Sequence, residues 1–185
     1  MKEDETMVMK RITLEELRAV AARSRDCIDK IYLHWTAGNY HQFFTDYHLL
    51  IDEDGAIIST TDDLTQRKEH TYMRNSNAVG VALCCCADAG CWADGSVDFG
   101  SVPPTAAQID SMAQVVAVLC EELGLAVNAN NVMTHCEAAE EDGYGPSTTC
   151  ERWDLWKLPN VPGDGEIMPG GDVIRGKAIW WQNNW

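Results

Sequence analysis

Apolar residues recur along this chain with two different periods, and the switches between them mark out its elements. Leu14, Leu17, Val20 and Ala21 follow helical spacing behind the capping box Thr13-Leu14-Glu15-Glu16, which predicts a helix from Leu14 to about Asp26. Ile31-Tyr32-Leu33-His34-Trp35 is β-prone and is brought to an end by Gly38. Tyr47-His48-Leu49-Leu50-Ile51 and Ala56-Ile57-Ile58-Ser59 flank Asp52-Glu53-Asp54-Gly55, and an Asp-Gly step between apolar runs predicts a hairpin. Residues 61–78 are polar and irregular, a long loop, and Ala78 to Cys84 then reads as a buried strand.

The stretch from Asp88 to Ser101 has turn residues and no period, so a loop is expected there. Thr105-Ala106-Ala107-Gln108 opens the clearest helix, with the stripe Ile109, Met112, Val116, Leu119, Cys120 and Leu123 and with Gly124 as its stop. Asn131 to Thr134 is a short strand leading into His135. Past Lys157 the texture changes to Pro159, Pro162, Gly163, Gly165, Pro169, Gly170 and Gly171, and then to Trp180, Trp181 and Trp185, which are expected to pack back onto the domain. Strands alternating with helices, with one hairpin embedded, predict an α/β fold: a mixed central sheet flanked by helices in a single domain. The expected organisation is a polar tail over 1–12, the domain over 13–157 and a Pro/Gly- and Trp-rich extension over 158–185.

Composition narrows the function classes. A chain of 185 residues, 45% hydrophobic and 23% charged, is that of an ordinary globular domain. A net charge of -15 argues against nucleic acid and anionic membranes as partners. No apolar run approaches the roughly 20 residues that cross a bilayer. Met1 to Lys10 is polar and has no apolar signal core, so synthesis in the cytoplasm is expected. The eight cysteines form no CxxC pair, and most are expected to be reduced, buried and hydrophobic in role.

Candidate chemistry gathers at strand ends. His34 closes one strand, and His135 follows another. A catalytic zinc takes three N, S or O ligands and keeps a fourth position open. His34 and His135 with either Asp154 or Cys150 meet that requirement. Zinc lowers the pKa of bound water to about 7 and polarises carbonyls, which suits amide hydrolysis. Tyr47 and Arg152, each beside one of these residues, are the candidates for stabilising an oxyanion or handling protons.

In order, the chain carries His34-Trp35-Thr36-Ala37-Gly38, Tyr47-His48, Asp54-Gly55, His70 ahead of Asn75, Val79-Gly80-Val81, Pro104 to Gln108, Thr134-His135 and Arg152-Trp153-Asp154. This ordered set, over roughly residues 28 to 156, resembles the zinc-dependent N-acetylmuramoyl-L-alanine amidases, a family that includes phage lysozyme-type amidases, muropeptide amidases and peptidoglycan recognition proteins. The resemblance implies one zinc per chain, held by His34, His135 and a third ligand two residues after a basic one. Asp154 after Arg152 keeps that register, and Cys150 is the alternative. Trp35, Thr36, His70 and Asn75 are expected to contact substrate, with His48 and Glu137 supporting the ligands from behind.

Two departures matter. The family's basic residue is usually lysine where this chain has Arg152, and no catalytic Glu stands at Ala82 as it does in muropeptide amidases, which leaves Tyr47 as the phage-type solution. The expected activity is hydrolysis of the bond between N-acetylmuramic acid and L-alanine in peptidoglycan by a monomer, as a prophage-type endolysin released to the cell wall. The alternatives are a peptidoglycan-binding module without catalysis and a cytoplasmic muropeptide-recycling amidase.

Overall fold

The structure is a computed structural model that describes residues 9–160 and 166–185; most of the polar N-terminal tail, and Pro162, Gly163 and Gly165, lie outside the described residues. Its centre is a six-stranded mixed sheet. Strand β1 (Lys10–Ile12) forms one edge, so the segment read as the end of a tail is instead a sheet strand. Helix α1 (Leu14–Arg23) follows with its capping box formed. It stops short of Asp26, whose φ of 67° is incompatible with a helix.

Strands β2 (Lys30–Trp35), β3 (Leu49–Ile51), β4 (Ile57–Ser59) and β5 (Ala78–Leu83) follow. Next come a small hairpin, β6 (Gly90–Cys91) with β7 (Val97–Asp98), then helix α2 (Ala106–Leu123) and strand β8 (Val132–Thr134). The sheet order is β1-β4-β3-β5-β2-β8. The β3–β5–β2–β8 block is parallel, and the β3–β4 hairpin across Gly55 is antiparallel. The mixed sheet and flanking helices are those expected from the pattern.

Alternation along the strands sorts side chains between two faces. Ile31, Leu33 and Trp35 of β2 and Val79, Val81 and Leu83 of β5 pack with Met112, Val116 and Leu119 of α2 in the main core. Each such fully buried large side chain is worth about 1.5–3 kcal/mol. Tyr32 and His34 take the other phase of β2, and Tyr32 joins Ala78, Met133 and Ala138 in a separate cluster. The loop between β4 and β5 covers this second face. Gly80 permits that cover, because a Cβ there would come within 2.5 Å of the His70 ring.

Helix α3 (His135–Asp142) starts directly at the end of β8, with Thr134 and Glu137 closing a capping box. The β9 (Lys157–Pro159) and β10 (Ile167–Pro169) hairpin then leads to helix α4 (Gly170–Gln182). Helix α4 lies against α2: Trp181 Nε1 donates to Asp110 and Gln182 Nε2 to the Ala117 carbonyl. Among the described residues no helix is long and apolar enough to cross a membrane.

Candidate metal centre

The two histidines meet because their strands are adjacent and parallel. Leu33 of β2 is in register with Thr134 of β8, so the next residues, His34 and His135, are neighbours. Their ring centroids are 4.8 Å apart, with the planes at 70°. Asp154 comes from the loop after α3 and spans the pair. Its Oδ2 is 3.0 Å from His34 Nδ1 and its Oδ1 is 3.3 Å from His135 Nδ1. One donor atom from each of the three residues falls within 4.8 Å of the other two.

Electrostatics favours an ionised carboxylate at Asp154. Burial opposes the charge on Asp154, but the two facing imidazoles prevail and hold it below the usual carboxylate range. Burial lowers His34, against the pull of Asp154. The loop that delivers Asp154 contains three non-glycine residues in the left-handed region: Cys150 (φ 58°), Arg152 (45°) and Leu155 (58°). Such conformations cost about 1–3 kcal/mol each, and such strain clusters at functional sites.

A cleft of about 740 Å³ opens over these groups and is lined by Trp35, Thr36, Tyr47, His70, Asn75, His135, Arg152, Trp153 and Asp154. Most of the residues expected to form a site are therefore brought to one place. Tyr47 has its ring 5.1 Å from that of His34, and burial pushes its phenol above the ordinary value, so it is protonated and able to donate. Arg152 is exposed on the rim and, among the described residues, forms no ion pair; Glu151 accepts instead from Thr149. Trp35 packs edge-on to Trp153 at 5.4 Å, and Thr36 Oγ1 accepts from the N–H of Gly38.

Other expected residues lie elsewhere or have other partners. Cys150 is exposed and outside the converging donor set; it borders a separate cavity of about 900 Å³ behind Trp153, which contains none of the three donors. Glu137 does not bond to His135. It caps α3 and pairs with Arg175 of α4 through two contacts of 2.8 Å. His48 is fixed between Gly80 and Gln66: its Nδ1 accepts from the Gly80 N–H at 3.0 Å and its Nε2–H donates to the Gln66 carbonyl at 2.7 Å. Asn75 orders the loop by accepting from the N–H groups of His70 and Thr71. Cys84, Cys85, Cys86, Cys120 and Cys136 are buried, and burial pushes the Cys84 and Cys120 thiols up to about 12, which leaves them inert.

The sequence reading missed Thr71. Its hydroxyl oxygen lies 3.3 Å from His34 Nε2, the nitrogen turned away from Asp154. No periodicity or spacing marks it; only its place directly after His70 was there to notice.

The matching family profile covers residues 23–153 and is described as N-acetylmuramoyl-L-alanine amidase. The chain belongs to this family. The amidase match contains both histidines and Tyr47 and ends one residue before Asp154. Among solved structures, the Drosophila peptidoglycan recognition protein SA is similar at 17% identity and a TM-score of 0.40, over 70% of this chain and 72% of that one. No curated protein matches in sequence.

The donor chemistry fits the zinc that such amidases use. Two imidazole nitrogens and a carboxylate oxygen are a three-ligand zinc set, and a hydroxyl oxygen stands 3.3 Å from the far nitrogen of His34, where a ligating imidazole takes an outer hydrogen-bond partner.

Proposed function

We propose that the chain is a zinc-dependent N-acetylmuramoyl-L-alanine amidase, cleaving the amide between the lactyl group of N-acetylmuramic acid and L-alanine in peptidoglycan. The observation that carries this reading is the convergence of His34, His135 and Asp154 at a cleft that also holds Tyr47 and Arg152. His34, His135 and Asp154 would hold the ion, which when bound supplies an activated water and a polarised carbonyl.

The remaining work falls to this chain's own residues. As the amide carbon becomes tetrahedral, negative charge develops on its oxygen. The protonated Tyr47 phenol donates a hydrogen bond to that charge, and Arg152, free of a carboxylate partner among the described residues, supplies a fixed positive charge. Arginine cannot deliver a proton at neutral pH, so its contribution is electrostatic only. A complete ligand set beside a protonated donor favours catalysis over recognition alone.

Digestion of purified sacculi and of soluble muropeptides, with mass analysis of the products, tests the reading. Release of stem peptides with a free L-alanine amine, abolished by a chelator and restored by zinc, is the expected result. Binding to sacculi with no release by the zinc-loaded chain would make it a recognition module. The same two substrates separate a wall lysin from a recycling enzyme.

A further inference from the structure

Thr71 is almost fully buried in the loop between β4 and β5. Its Oγ1 lies 3.3 Å from His34 Nε2 and 3.0 Å from His70 Nδ1. Asn75 holds this stretch in place through the backbone N–H groups of His70 and Thr71, at 3.2 and 2.8 Å. A hydroxyl has one proton, and a neutral imidazole has one N–H and one acceptor nitrogen. A hydroxyl bonded to both rings therefore donates to one and accepts from the other, and the row His34–Thr71–His70 has two directions, which differ in whether the buried His70 Nε2, without a partner among the described residues, carries the ring proton.

The ligand atom of His34 selects between them. With Asp154 alone in front of it, His34 Nδ1–H donates to the carboxylate at 3.0 Å, and Nε2 is left as an acceptor. Thr71 then donates to His34 and accepts from His70 Nδ1–H. If Nδ1 instead gives its lone pair to a metal, the ring proton sits on Nε2 and donates to Thr71. The hydroxyl proton then turns to His70 Nδ1, and His70 has its own proton on Nε2. Both rings stay neutral in both states and the row gains or loses no proton; the shifts within each ring proceed by exchange with water.

We propose that Thr71 is a positioning residue for His34 and that filling the metal centre reverses the direction of its hydroxyl, moving the His70 proton from Nδ1 to Nε2. The inference rests on the zinc-site reading above. His48 provides an internal reference: the Gly80 N–H and the Gln66 carbonyl hold it as the Nε2–H tautomer whatever occupies the centre.

Nitrogen NMR of the histidine rings in the full chain, chelated and then loaded with one equivalent of zinc, reads the tautomers directly. The expected result is His70 as Nδ1–H when chelated and Nε2–H when loaded, with His48 unchanged. Thr71→Val should weaken zinc binding by about 10–100-fold in a chelator competition, the scale for losing an outer partner of a ligand, while Thr71→Ser should retain both affinity and switch. One His70 tautomer in both wild-type states, or a folded Thr71→Val chain holding zinc as tightly as wild type, would overturn the proposal. If Thr71→Val does not fold, the wild-type comparison decides alone. Zinc uptake without a tautomer change removes this inference and leaves the metal site standing; no zinc uptake by the wild-type chain removes both.

Discussion

Glu137 and Arg175 form a two-point ion pair that ties α4 to α3, the helix whose first residue is His135. Arg175 also donates to the Val132 carbonyl in the strand that leads into His135. Its side chain is only 10% exposed, while that of Glu137 is 32% exposed, so part of the pair is screened by solvent. Arg175→Ala should cost about 2–3 kcal/mol, at or just below the roughly 3–5 kcal/mol for breaking a fully buried pair. Chemical unfolding of the chelated protein measures that loss. A parallel drop in zinc affinity would show that it reaches His135.

Zinc should bind in a one-to-one ratio and be lost from His34→Ala and His135→Ala. Cys150→Ser should keep its zinc, since the thiol lies outside the converging donors, whereas Asp154→Ala should lose it. Elemental analysis after dialysis checks all four variants. Zinc retained by Asp154→Ala and lost by Cys150→Ser would move the third ligand to the cysteine.

Tyr47→Phe should fold and load zinc, yet hydrolyse peptidoglycan roughly 10²-fold more slowly, the scale for losing one oxyanion donor. Arg152→Ala should slow turnover without adding an ionisation to the pH profile, and Arg152→Lys should recover much of the rate. Wild-type rates in zinc-loaded Tyr47→Phe or Arg152→Ala would reduce that residue to packing or to surface charge.

Acid should destabilise the chelated chain well before its carboxylates titrate. Burial lowers His34, His48 and His70, with His48 brought to about 4. The unfolded chain takes up protons near pH 6.5 where these rings refuse them, so stability is fullest above about 6.5 and declines below it. For His48 the loss amounts to about 3 kcal/mol once the pH reaches its folded value. Asp154 acts lower still: the stability it gains from its lowered pKa is present above the ordinary carboxylate value and is lost as pH falls through the folded one. Urea midpoints measured from about pH 7.5 to 4.5 should fall steadily, and a flat profile would contradict neutral buried rings.

The residues that could be read from the sequence were those fixed by strand period and order. His34 lies in the loop-covered phase of β2 because Ile31, Leu33 and Trp35 take the helix side, and its place at the end of an apolar, β-prone run is visible in the letters. The hairpin at Gly55 and helix α2 were equally legible, since turn chemistry and an apolar stripe are local signals. Helix α3 was not, because eight residues beginning His-Cys-Glu have little apolar period and owe their start to the Thr134–Glu137 box. Helix α4 was hidden by its opening Gly170-Gly171, and it gains its place from α2 and from Arg175. Thr71 acts through contacts made across the fold, and such contacts leave no spacing to find.

The left-handed backbone at Arg152 sets stability and function against each other. Glycine adopts a φ of 45° without the steric penalty of a side chain, which is about 1–2 kcal/mol for an ordinary residue. A search for hardier variants scored on thermal tolerance alone would favour glycine at Arg152 and would discard the fixed charge proposed to face the reacting carbonyl. Engineering of this chain for durability therefore has to be selected on hydrolysis and on melting together, and Arg152→Gly is the variant in which the two scores should diverge most clearly.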